Sequence, residues 1–86
     1  MLLQQTMTVQ IPDGRMKSAI TFFVQKANSF SSRITVSREE NRINAKSLLG
    51  LLSLELEQGT SITIAAEGAD AAAALAALAD IMEGRF

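Results

Sequence analysis

The chain contains no cysteine and no histidine. The first absence rules out a disulfide framework and any thiolate metal site. The second removes at once the commonest general base, the commonest metal ligand and any phosphohistidine intermediate. Tryptophan and tyrosine are also missing, proline occurs once, and four phenylalanines are the only aromatics. Charge of one sign is equally scarce: eight lysines and arginines against nine aspartates and glutamates leave a formal net charge of −1. Interspersed signs give neither a basic stripe for nucleic acid nor a polybasic segment for a membrane surface. The longest apolar run, AAAALAALA from Ala71 to Ala79, is far too short to span a bilayer. The N-terminal MLLQQTMTVQ has neither the charged leader nor the long apolar stretch of a signal peptide. These absences predict a soluble, cytoplasmic domain that holds no metal and no cofactor.

What is present suffices for one small core. Residues 1–86 make a single domain at the small end of the range that folds alone, burying roughly 60–65% of its unfolded surface. The 48% hydrophobic content argues against wholesale disorder. Met7, Val9 and Ile11 alternate with Thr8 and Gln10, which predicts a half-buried strand stopped by PDG at Pro12–Gly14. Ala19, Ile20, Phe23, Val24, Ala27 and Phe30 then recur at helical spacing and predict a helix from Lys17 to Ser29. RITVS (Arg33–Ser37) and RIN (Arg42–Asn44) flank a polar connection and read as a hairpin. A short helix follows from Ser47 to about Ser53, then a strand with Ile62 and Ile64 on one face and Ser61 and Thr63 on the other. In the last helix, capped by Asp70, an inward stripe of Leu75, Leu78, Ile81 and Met82 is expected. The order β-α-β-β-α-β-α predicts an α+β fold: a four-stranded, mainly antiparallel sheet with three helices on one face and the other face wet.

The segment NAKSLLGLLSLELEQG places six leucines in nine positions behind a lysine–serine pair. With Ser47 as N-cap, Leu48, Leu49, Leu51 and Leu52 spread around more than half of the cylinder at about 100° per residue. One side packs on the sheet. The remainder is either covered by loops or forms an apolar docking patch. Gly50 inside this helix costs roughly 1 kcal/mol relative to alanine, so a close backbone approach is expected there. Ser47 has two readings: a plain cap, or a phosphorylation site whose anion would sit at the positive helix end beside Lys46.

At these residues the chain resembles the HPr-like family, which comprises the phosphocarrier protein HPr of the sugar phosphotransferase system and its regulatory paralogue Crh. FFVQKANSF (Phe22–Phe30) is similar to the family's first-helix motif, KSLLGLLSL (Lys46–Leu54) to its regulatory-serine motif, and EGADAAAAL to the start of its last helix. The resemblance implies an HPr-like open-faced β-sandwich. It implies that Ser47 is phosphorylated by an HPr kinase/phosphorylase, and that the phosphorylated protein acts in catabolite repression with a catabolite-control transcription factor or another regulator. The family's docking positions fall on Leu48, Leu49 and Leu52. In the phosphocarrier the loop before the first helix reads Gly, aliphatic, His, Ala, Arg, Pro; here it is GRMKSA, Gly14–Ala19. Met16 stands in the place of the phosphoaccepting histidine and Ser18 in the place of the arginine. A thioether cannot form a phosphoramidate, so phosphate carriage by the family's chemistry is excluded.

Other chemistry finds little support. The pairs Lys17–Ser18 and Lys46–Ser47 are adjacent on helices and diverge by about 100°, so neither presents an amine to its hydroxyl. No acidic spacing resembles a calcium loop or a metal triad. Phe22, Phe23 and Phe30 are expected in the core rather than as a base-stacking platform. Met16 either fills space over the sheet or, if the phosphocarrier geometry persists, is exposed near Ser47, where Lys17 could meet a phosphate or an acidic partner. The chain is expected to be non-enzymatic. The stretch IPDG can also serve as the hinge of a swapped first strand. Outside the regulatory reading stands a constitutive adaptor in which Ser47 is only a cap.

Overall fold

Seven elements follow one another in the computed structural model, which describes all residues, 1–86. They are β1 (Leu2–Thr8), α1 (Met16–Asn28), β2 (Arg33–Arg38), β3 (Asn41–Asn44), α2 (Leu48–Ser53), β4 (Ser61–Glu67) and α3 (Ala71–Met82). A single 3-10 turn, Asp13–Arg15, leads into α1. The strands form one antiparallel sheet in the order β1-β4-β2-β3. Successive side chains of a strand point to opposite faces. Ile34 and Val36 of β2 and Ile62, Ile64 and Ala66 of β4 therefore turn together into the core, all buried. Thr35, Ser37, Thr63 and Ala65 line up across the strands on the other face. The helices cover the first face with Phe23, Leu51, Leu78 and Met82, all fully buried. This is the α+β open-faced arrangement expected from the element order.

The boundaries differ from the periodicity in instructive ways. α1 starts at Met16 and ends at Asn28, one residue earlier at each end than expected. β1 begins at Leu2, well before the alternating stretch. Val9 and Ile11 lie beyond its end yet are fully buried, and Val9 is held by Val9 N–H to Thr60 O (2.8 Å) and Gly59 N–H to Val9 O (2.9 Å). Phe22, expected in the core, is 41% exposed, because it sits about 100° around α1 from the inward Phe23. Phe30, Val24 and Leu75 are only partly buried against the core.

Asp70 occupies the N-cap position of α3 but does not cap it with its side chain. Its carboxylate instead accepts from the backbone N–H groups of Ser31 and Ser32, both at 2.9 Å, and from both serine hydroxyls. The start of β2 and the start of α3 are thereby clamped together. Gly68 makes room for the clamp. It has φ +148, and a Cβ there would lie 2.6 Å from Ser32 Oγ and 2.9 Å from Ser32 Cα.

The Ser32 hydroxyl, followed by the Ser31 amide, lowers the Asp70 pKa from the ordinary 3.8 to about 2. The folded state thus favours the carboxylate, and its contribution to stability is complete above about pH 4 and lost as pH falls towards 2. Urea unfolding between pH 5 and pH 2 should therefore show a midpoint decline across about pH 4 to 2. Asp70→Asn should start lower and lack that component. An equal decline in both proteins would assign the effect to other carboxylates.

Candidate docking and modification site

α2 is six residues long, too short to persist alone in water. Its position is set by contacts at both ends. At its start, Ser47 is an extended N-cap (φ −106, ψ 116) whose hydroxyl oxygen accepts from Gly50 N–H at 3.0 Å. Lys46, just before it, is fixed twice: its carbonyl accepts from Asn28 Nδ2 at 3.1 Å, and its Nζ donates to Phe30 O at 2.8 Å. Past its end, the Arg38 guanidinium donates to Leu54 O (2.8 Å) and Glu55 O (2.6 Å). Those carbonyls have no partner within the helix, so the arginine caps a negative helix end. Gly50 fits the expected close approach, since a Cβ would meet Ser47 Oγ at 3.2 Å and Ile43 Cβ at 3.3 Å.

Only one leucine of α2 points inward. Leu51 is fully buried, and Leu54 beyond the helix is nearly so. Leu48, Leu49 and Leu52 are 42%, 80% and 45% exposed. The surplus leucines are therefore a solvent-facing patch rather than residues roofed by loops. Ser47 is half-buried at the edge of this patch, with its oxygen engaged only by the Gly50 amide.

The first turn of α1 does not present Met16 to solvent. Met16 is 8% exposed and belongs to the hydrophobic core. Lys17 and Ser18 are exposed. Lys17 lies in the first turn of α1, whereas Ser47 follows the residue bonded to Asn28 in the last turn. Eleven residues of helix separate the two, about 16 Å of axial rise. Lys17 and Ser47 are thus not brought together, and the cation beside Ser47 is Lys46. Sequence reasoning missed Asn28 and Arg38, two of the three side chains that anchor α2. Nothing local marks Asn28 as a partner for a carbonyl outside its own helix, or a strand arginine as a cap for a helix sixteen residues away.

The Ser31 and Ser32 hydroxyls are paired with a carboxylate, that of Asp70, and there they serve the clamp between β2 and α3. No group of three or more acidic side chains could hold a metal ion, and no helix is long and apolar enough to cross a membrane.

Known proteins are similar to this chain in sequence and fold. Residues 3–84 match the family model described as the PTS HPr component phosphorylation site. The HPr-like protein Crh of Bacillus subtilis is 37% identical over 78 residues, covering 91% of this chain and 92% of Crh. A crystal structure of the phosphocarrier protein HPr from Bacillus anthracis superposes with a TM-score of 0.89 at 38% identity, over 93% of this chain and 95% of the other. The crystal structure of Bacillus subtilis Crh, described as a swapped dimer, gives a TM-score of 0.74 at 32% identity, over 92% and 86% of the two chains.

Proposed function

The chain belongs to the HPr family, and from that premise we propose that it is a cytoplasmic regulatory member acting in carbon catabolite regulation, switched by phosphorylation at Ser47. The observation that carries this reading is the placement of a half-buried serine oxygen at the mouth of a helix whose Leu48, Leu49 and Leu52 face solvent. In this reading a kinase of the HPr kinase/phosphorylase type transfers the γ-phosphoryl group of ATP to Ser47 Oγ, with loss of the hydroxyl proton. The ester oxygen can still accept from Gly50 N–H, and the added −1.5 to −2 charge sits at the positive end of α2, where about 0.3–1 kcal/mol favours it. The leucines then dock a catabolite-control transcription factor or another regulator, with Lys17 contacting the partner at the far end of α1. No phosphohistidine step takes part. With Met16 in the core, the position that serves the phosphocarrier as phosphoacceptor is packing in this chain.

The Ser47–Gly50 bond favours a second reading. A serine engaged in this way already has a structural role, and a constitutive adaptor would need nothing more. Incubation with HPr kinase and ATP separates the two. Intact-mass analysis should show one added phosphate in the parent chain and none in Ser47→Ala, while the substitution itself lowers stability by about 1 kcal/mol through loss of the cap. An unchanged mass in the parent chain would leave the adaptor reading. The swapped dimer described for Crh of Bacillus subtilis extends, as a proposal, to exchange of β1 about the segment Ile11–Gly14 here.

A further inference from the structure

Two of the four phenylalanines are used outside the core. Phe22 and Phe86 are 41% and 38% exposed, and their rings stack with centroids 6.0 Å apart at an interplanar angle of 27°. The Arg15 guanidinium carbon lies 4.7 Å from the Phe86 ring centroid. The ring is delivered there by a defined chain reversal after α3. Gly84 adopts φ +89, Gly84 N–H donates to Ile81 O and Arg85 N–H to Asp80 O, both at 2.9 Å. That pair of bonds is the Schellman pattern with glycine at its left-handed position. Arg85 reinforces the reversal through its ion pairs with Asp80 and Glu83.

The cations beside this pair are free. Both ion pairs of the molecule use Arg85, which leaves Arg15 and Lys26 without a carboxylate within 4.0 Å. Lys26 lies one turn beyond Phe22 on the same side of α1. α1 itself carries no acidic residue. Phe22 is about 120° around α1 from Asn28, the residue that faces α2, so the strip lies on the α3 flank and apart from the leucines. Aromatic rings and arginine are the side chains enriched at protein interfaces, and buried aromatics anchor most of the binding free energy there.

We propose that Arg15, Phe22, Lys26 and Phe86 form a second docking surface, independent of Ser47, for an acidic protein segment that brings an apolar side chain onto the stacked rings. Charge complementarity selects this occupant: carboxylates on either side of an apolar group meet Arg15 and Lys26, neither of which has a carboxylate of this chain within 4.0 Å. Nucleic acid fits less well, because two cations make no phosphate track.

The test is a titration of the isotope-labelled full chain, followed by backbone amide shifts. The probe is a short peptide of glutamates around leucines, and the control carries glutamine for every glutamate. Saturable shifts at Arg15, Phe22, Lys26 and Phe86 are expected with the acidic peptide only. They should vanish near 1 M salt, where the Debye length falls to about 3 Å. Phe86→Ser should weaken binding about tenfold and Leu49→Ser should leave it unchanged. Shifts confined to Leu48, Leu49 and Leu52, equal binding of the glutamine peptide, or tighter binding of single-stranded oligonucleotide would each overturn the proposal. So would self-association that Phe86→Ser abolishes, which would assign the strip to a second copy of the chain.

Discussion

Gly68→Ala should lower stability by on the order of 3 kcal/mol, read as a reduced urea midpoint at unchanged slope. The added carbon would sit 2.9 Å from a backbone atom, Ser32 Cα, at a φ of +148 that side chains rarely adopt. Relief therefore requires the backbone of Ser32 to move, and that backbone carries the amide that binds Asp70. A strained dihedral costs about 1–3 kcal/mol, and weakening the part-buried Ser32–Asp70 bond adds to it. Global stability for a domain of this size is on the order of 4–13 kcal/mol, so the loss would be a large share of the whole. Gly14→Ala is the internal control, because nothing lies within 4 Å of its added carbon. Equal and small effects at both sites would show that the clamp yields freely.

Met16→His is the second large effect. It restores the residue type that a phosphocarrier needs, and the expectation is that it restores nothing. The side chain at this position faces the core, so an imidazole there loses thioether packing and buries a ring N–H without a partner. The combined loss should be about 2–4 kcal/mol. Burial disfavours the imidazolium, so the unfolded chain would bind more protons and the deficit should deepen as pH falls below about 6.5. Treatment with phosphoramidate, which phosphorylates accessible histidines, should leave no acid-labile phosphate on the folded variant. A stable variant that takes up phosphate would mean that the loop turns outward easily and that Met16 is a surface residue in solution.

These two sites mark the division between what local pattern reveals and what it conceals. Ile62 and Ile64 announce β4 because a two-residue period is a property of neighbours in the chain. Ser47 and the leucines of α2 were legible for the same reason. The start of β1 was not, since Leu2 lies on the open face and breaks the alternation that would reveal a strand. Asp70 looked like a helix cap because cap signals are local, while its real partners, Ser31 and Ser32, lie about forty positions earlier. Phe22 follows the same logic. Hydrophobicity placed it inside, but its angle on α1 and the reversal at Gly84 place it against Phe86. In the candidate site, the hydroxyl and the apolar groups were visible in the sequence. The side chains that hold α2 in position, Asn28, Lys46 and Arg38, act through backbone carbonyls and leave no motif.

The fastening of α2 at both ends sets what kind of signal the patch can carry. A segment that orders only on contact charges its lost freedom against each encounter; here Arg38 and Lys46 meet that entropic demand during folding. Recognition at the leucines should then proceed as rigid docking. A modification at the neighbouring hydroxyl would act through the field an approaching molecule meets and through complementarity of the final complex, leaving the backbone where it was.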